Sequence, residues 1–184
     1  MLLRWNMPDD LITQSEGMVG LVLHRQFSAA IGMFDNAMQS VPDLLWQTPM
    51  WSTEGRDSVF SQPWYIAYHT LFFTDMYLGT SDVGFMPPPP YNLDELNPAG
   101  VPPAKVLMKQ DLAGYSTYIK GKAAIRLLDL DLKTAAMMCH FSWGFQLSAF
   151  DLIIDNIRHI QEHQAQLSMF IGQQQAYNQT WLTE

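Results

Sequence analysis

Hydrophobic side chains recur at steps of three and four along most of the chain, which is the spacing of one face of an α-helix. The first predicted helix covers about 11–40, and its later half carries this pattern clearly, with Phe27, Ile31, Phe34 and Met38 on one face. A proline-containing segment, 41–51, follows and ends the helix, because proline cannot continue a helical hydrogen-bond ladder.

The second predicted helix begins near Ser61, which can cap it, with Pro63 tolerated in its first turn. It continues through an aromatic stretch and stops at Gly79. Helical spacing predicts that five of its side chains share one apolar face: Ile66, His69, Phe72, Phe73 and Met76.

Two further helices are predicted in the second half of the chain. The third follows Pro103 and runs to about Asp129, with a looser apolar pattern interrupted by two glycines. The segment 129–144 is predicted to hold a short extra turn of helix. The fourth helix runs from about Phe145 to Gly172, with Ile153, Ile157, Ile160, Leu167 and Ile171 in register.

Between the second and third helices lies the proline-rich segment 80–103, which is too long for a tight turn. Such a connection is typical of a bundle in which two consecutive helices are not a simple hairpin. No part of the chain alternates as a strand would. We therefore predict a single all-α domain over 1–184, a four-helix bundle with a long crossover between helices two and three.

Composition excludes several classes of function. The 184 residues are 48% hydrophobic and 15% charged, which suits one packed core, and the formal net charge is −8. An acidic chain with scattered basic residues predicts neither a nucleic-acid partner nor a membrane surface. Asp9, Asp10 and Glu16 interrupt the region where a signal peptide would be apolar, and Cys139 is the single cysteine. We expect a soluble, cytoplasmic protein.

The fourth predicted helix carries His159 and His163, four residues apart. Side chains at this spacing are neighbours on one helix face, so both imidazoles can reach one metal ion. They share a stripe with Asn156, Gln166 and Phe170, beside the apolar face and so at the edge of the predicted core. A histidine pair at this spacing also occurs often by chance, and alone it favours ordinary polar residues over a site.

His69 changes that weighing, because it is predicted to lie on the apolar face of helix two, close to Tyr65 and Phe72. A buried imidazole needs a partner, which is either a hydrogen bond within the core or a metal ion. If helices two and four are neighbours, His69 and the helix-four pair can supply three ligands and leave an open position. His24 and His140 have no comparable partners.

Two motif interpretations are excluded. His159, Glu162 and His163 spell H-x-x-E-H, an inverted zinc-protease signature, but that class needs a further acidic ligand well downstream. Glu184 is the only acidic residue after Glu162. A ferritin-like di-iron site needs a glutamate with a histidine three residues later, and no glutamate in this sequence has one.

Three segments in this order resemble the DinB/YfiT-like superfamily: "VPDLLWQTP", "SQPWYIAYHTLFFTD" with its lone histidine, and "RHIQEHQAQLSMFI" near the end. The resemblance covers nearly the whole chain. It implies a DinB-like four-helix bundle that binds a divalent metal, often nickel or zinc. The helix-two ligand of the family falls on His69, and its H-x-x-x-H pair falls on His159 and His163.

The resemblance implies a metal-dependent enzyme acting on a small molecule, with the open metal position activating a thiol or water. Thiol S-transferases and isomerases that use a low-molecular-weight thiol occur among the relatives, and many relatives are homodimers. Glu162 or Asp155 is a candidate to orient a ligand histidine, and Tyr65 or Gln166 to contact substrate. The alternative is a non-catalytic stress- or damage-related binding protein with a structural metal or none.

Overall fold

The computed structural model describes residues 9–55, 57–144, 146–175, 177 and 179–183, with the backbone alone for 9–16. Within these ranges the elements are α1 (Asp9–Ser40), α2 (Pro63–Tyr77), α3 (Lys109–Leu128), the single turn α4 (Leu132–Ala135) and α5 (Ala149–Gln174). The described residues contain no β-strand, and two isolated bridges, Ser81–His140 and Met138–Ser148, hold the α4–α5 connection. The all-α prediction is confirmed, and so is the extra turn before the last long helix.

The four long helices pack around one continuous apolar core. α1 contacts both α3 and α5, and α2 contacts the same two helices from the other side. Large buried side chains from all four meet there, among them Phe27, Phe34, Trp64, Leu71, Leu112, Ile119, Ile160 and Leu167. The contact between α2 and α5 places the predicted histidines on facing helices.

Both late helices begin further along the chain than the sequence predicted. α5 begins after Ser148, whose hydroxyl accepts from the Asp151 amide in a capping box, and not near Phe145. α3 begins at Lys109 and not after Pro103. The preceding segment is held in an irregular conformation, since the Trp46 indole donates to the Leu107 carbonyl at 2.9 Å.

α2 is buried on nearly every side, which the prediction of a single apolar face did not anticipate. The crossover covers the side that α3 and α5 leave open: Phe85 packs edge-on against Phe72, and Tyr91 stacks on Tyr68. His69 lies on the more open line of the helix, with its side chain 29% exposed. Of the five side chains predicted to share one apolar face, Ile66, Phe72 and Met76 are buried, while His69 and Phe73 are partly exposed.

None of the helices in the described ranges combines the length and the apolar character that crossing a bilayer requires.

Candidate metal centre

Three histidines from two helices meet at the α2–α5 contact. His69 comes from α2, and His159 and His163 come from adjacent turns of α5. Each offers a ring nitrogen, and these three atoms lie within 4.8 Å of one another. The ring centroid of His69 is 5.5 Å from that of His159 and 5.1 Å from that of His163, and the α5 pair is 4.7 Å apart. The predicted convergence is confirmed; that the cluster binds a metal stays a prediction.

A buried hydrogen bond fixes the register of α5 against α2. The side-chain amide of Asn156 donates to the Thr74 carbonyl at 3.0 Å, and both residues are fully buried. A slip of α5 would leave this carbonyl and amide unpaired in the core, which costs free energy. Asn156 lies one turn before His159, so the same bond sets the position of the histidine pair along the helix axis relative to His69.

Hydrogen bonds at Nδ1 determine the tautomers of two of the histidines. Nδ1 of His69 lies 2.6 Å from Oε1 of Glu95, and Nδ1 of His163 lies 2.8 Å from Oε1 of Gln166. Carboxylate and amide oxygens accept hydrogen bonds, so each Nδ1 donates its proton. In the neutral form of each ring Nε2 then carries the free lone pair, and this is the form that binds a metal ion.

His159 is held in the neutral form. Burial, together with the smaller effects of the neighbouring His163 and His69, lowers its pKa to about 2. Burial, and then His69, also lower the pKa of His163. Nδ1 of His159 is buried and has no hydrogen-bond partner among the described residues. A neutral imidazole with an unpaired buried nitrogen is well suited to be a ligand and poorly suited to be a structural core residue.

Glu95 is a partner of the histidine cluster that sequence reasoning missed. It lies in a 3-10 turn of the crossover, Asp94–Leu96, and its side chain is only 3% exposed. Besides contacting His69, it accepts from the Tyr65 hydroxyl at 2.8 and 3.0 Å to its two oxygens. The acidic sequence of this turn is the only local signal, because its approach to α2 depends on how the crossover folds back.

Glu162 and Asp155, the α5 residues predicted to orient a ligand histidine, do not make the contact that Glu95 makes. Glu162 is exposed, and Asp155 pairs with Arg158 at 3.3 Å. Neither bonds a histidine among the described residues. Of the two candidates to contact substrate, Gln166 bonds His163 and Tyr65 bonds Glu95; contact of either with a substrate stays a prediction. Cys139 is fully buried as predicted, while the side chain of His140 is exposed.

Aromatic rings surround the histidine cluster. The Phe73 ring lies 4.8 Å from His69 and 6.2 Å from His159, and the Tyr77 ring lies 6.2 Å from His159. Tyr65, one turn before His69, also borders a cavity of about 550 Å³ that is lined by 98–102 of the crossover. These rings reduce the polarity around the cluster, which strengthens electrostatic interactions within it.

Comparison with known proteins gives no match: no protein-family model, no curated protein and no solved structure corresponds to this chain.

Proposed function

We propose that the chain binds one divalent metal ion, nickel or zinc, through His69, His159 and His163, and that it is a metal-dependent enzyme acting on a small molecule. One observation carries the proposal: three histidine nitrogens from two helices lie within 4.8 Å of one another. Clusters of neutral imidazoles are the ligand set that zinc, nickel, copper and iron prefer.

The donor set fits such an ion. The hydrogen bonds to Glu95 and Gln166 hold the Nδ1 protons of two rings away from the cluster, and burial keeps the third ring neutral. Three protein ligands leave a position open, which distinguishes catalytic from structural zinc sites. When bound, the ion would lower the pKa of a thiol or water at that position and make it nucleophilic near neutral pH.

The surrounding residues supply orientation and exclude water. Asn156 keeps α5 in register, and Phe73 and Tyr77 cover the cluster on one side. The order of the three segments supports a DinB-like bundle, and the packing of α1 and α2 against α3 and α5 supports a four-helix bundle in general. The chemistry proposed is that of a thiol S-transferase or a hydrolase, in a homodimer like those of the relatives it resembles.

The test is elemental analysis of tag-free protein after reconstitution with zinc or nickel and removal of free metal. The variants are His159→Ala/His163→Ala and, as a matched control, His140→Ala, which removes an exposed imidazole outside the cluster. We expect about one ion per chain in the wild type and in the control, and its loss in the double variant. Metal retained by the double variant, or absent from all three proteins, would overturn the assignment.

A screen follows on the metal-loaded protein. Low-molecular-weight thiols with electrophilic acceptors test the transferase chemistry, and activated esters and amides test hydrolysis. Turnover that disappears in the double variant and persists in the His140→Ala control identifies the class of reaction.

A further inference from the structure

Glu95 links the crossover to the histidine cluster. Its carboxylate accepts hydrogen bonds from Nδ1 of His69 at 2.6 Å and from the Tyr65 hydroxyl at 2.8 Å. The Glu95 side chain is 3% exposed. Burying a carboxylate so completely costs free energy unless it is well paired. The two α2 groups that pair with it are one turn apart, so the carboxylate spans that turn of the helix.

The crossover is anchored to α2 at other points by aromatic packing. The Tyr91 ring lies between Tyr68 and Tyr115, with centroids 5.8 and 4.4 Å away, and Phe85 lies 5.3 Å from Phe72. These contacts are apolar and do not involve the three histidines. They hold the first half of the crossover in place independently of the cluster.

Cavities border the turn that carries Glu95 and the segment that follows it. One, of about 300 Å³, is bordered by Tyr91, Asp94 and Leu107. Another, of about 550 Å³, lies between Tyr65 and 98–102. Within the turn, Asp94 is exposed and Leu96 packs against the core, so the carboxylate of Glu95 adds polar contacts that hold the turn to α2.

We propose that Glu95 is a positioning residue that orients His69 for metal binding and thereby couples occupancy of the metal centre to the conformation of the crossover turn. This inference rests on the proposed metal site. Carboxylates that accept from the second nitrogen of a ligand histidine fix its ring orientation and raise its basicity, and their removal weakens metal binding about 10–100-fold.

The coupling must act in both directions. If the Glu95 contact favours metal binding, metal binding favours the Glu95 contact by the same factor. A bound ion therefore holds Glu95 on α2 more firmly and reduces local opening of the turn. Amide hydrogen exchange in 93–101 reports that opening directly.

The experiment is a zinc titration of the full-length protein against a chromophoric chelator, with hydrogen exchange measured on the same samples with and without zinc. Four proteins are compared: wild type, Glu95→Ala, Glu95→Gln and the control Asp94→Asn, which changes the exposed neighbouring carboxylate. We expect Glu95→Ala to weaken zinc binding about 10–100-fold. Glu95→Gln should recover part of the affinity, because its amide oxygen still accepts from Nδ1, and the control should bind as the wild type does.

Zinc should slow exchange in 93–101 in the wild type and the control, and have no such effect in Glu95→Ala. Unchanged zinc affinity in both Glu95 variants, with the wild type binding zinc, would overturn the positioning role and leave the metal site intact. A wild type that binds no zinc would overturn the metal site and this inference with it. If Glu95→Ala fails to fold, Glu95→Gln decides, because a neutral amide raises the basicity of His69 less than a carboxylate does. Wild-type zinc affinity in that variant would contradict the proposed role.

Discussion

Replacing His159 with leucine tests whether this histidine is kept as a metal ligand or as a structural residue of the core. In the metal-free protein, Nδ1 of His159 is buried without a partner among the described residues, and the ring lies among Phe73 and Tyr77. Leucine is similar in volume to histidine and has no polar atom to satisfy. We therefore expect His159→Leu to stabilise the metal-free protein, the opposite of the usual effect of a substitution in a core.

The magnitude follows from two terms. An unsatisfied buried polar group costs about 1–3 kcal/mol, and a volume-conserving swap costs less than about 1.5 kcal/mol. The net gain is on the order of 1 kcal/mol, which corresponds to a rise in Tm of about 2–4 °C for a domain of 150–250 residues. With free zinc at 100 times its Kd, the wild type instead gains about 2.7 kcal/mol from binding. The order of stability of the two proteins should then reverse.

The assay is thermal unfolding of wild type, His159→Leu and the exposed control His140→Leu, each with a chelator and with excess zinc. The control should follow the wild type in both conditions, within about 0.5 kcal/mol. If His159→Leu destabilises the chelator-treated protein by more than about 1 kcal/mol, the imidazole stabilises the fold even though its Nδ1 has no hydrogen-bond partner among the described residues. That outcome would refute the reasoning.

Two further predictions concern buried ionisable groups. The metal-free protein should lose stability as the pH falls below about 6.5, because the pKa of His159 in the folded state is about 2 and that of His163 is also lowered. The unfolded chain then binds more protons than the folded one, so His159 alone costs up to about 1.4 kcal/mol of folding stability per pH unit, and urea denaturation between pH 5 and 7 should show a shallower slope for His159→Leu. Lys122→Met should cost about 3 kcal/mol, since Lys122 donates at 2.6 Å to the carboxylate of the fully buried Asp75. Lys120→Met, which breaks a more exposed pair, should cost less than about 1 kcal/mol, and equal urea midpoints for the two lysine variants would contradict the argument.

Much of the fold follows from local rules that a sequence carries. The apolar faces predicted from steps of three and four in α1 and α5 are buried, and so are all the apolar positions named for the predicted fourth helix. Helix ends were less predictable. The cap at Ser148 is a short local motif, but the start of α3 depends on a bond between Trp46 and the Leu107 carbonyl, two groups far apart in the chain.

Some features of the candidate site also follow from the sequence, and others only from the tertiary structure. The proximity of His159 and His163 was determined by the sequence alone, because residues four apart on any α-helix lie on adjacent turns of one face. Their approach to His69 was not, since it depends on which helices pack together and in which register, here set by Asn156 and Thr74. Only the tertiary structure brings Glu95 to His69, because the path of a long crossover is decided by its packing and not by any periodicity of its own.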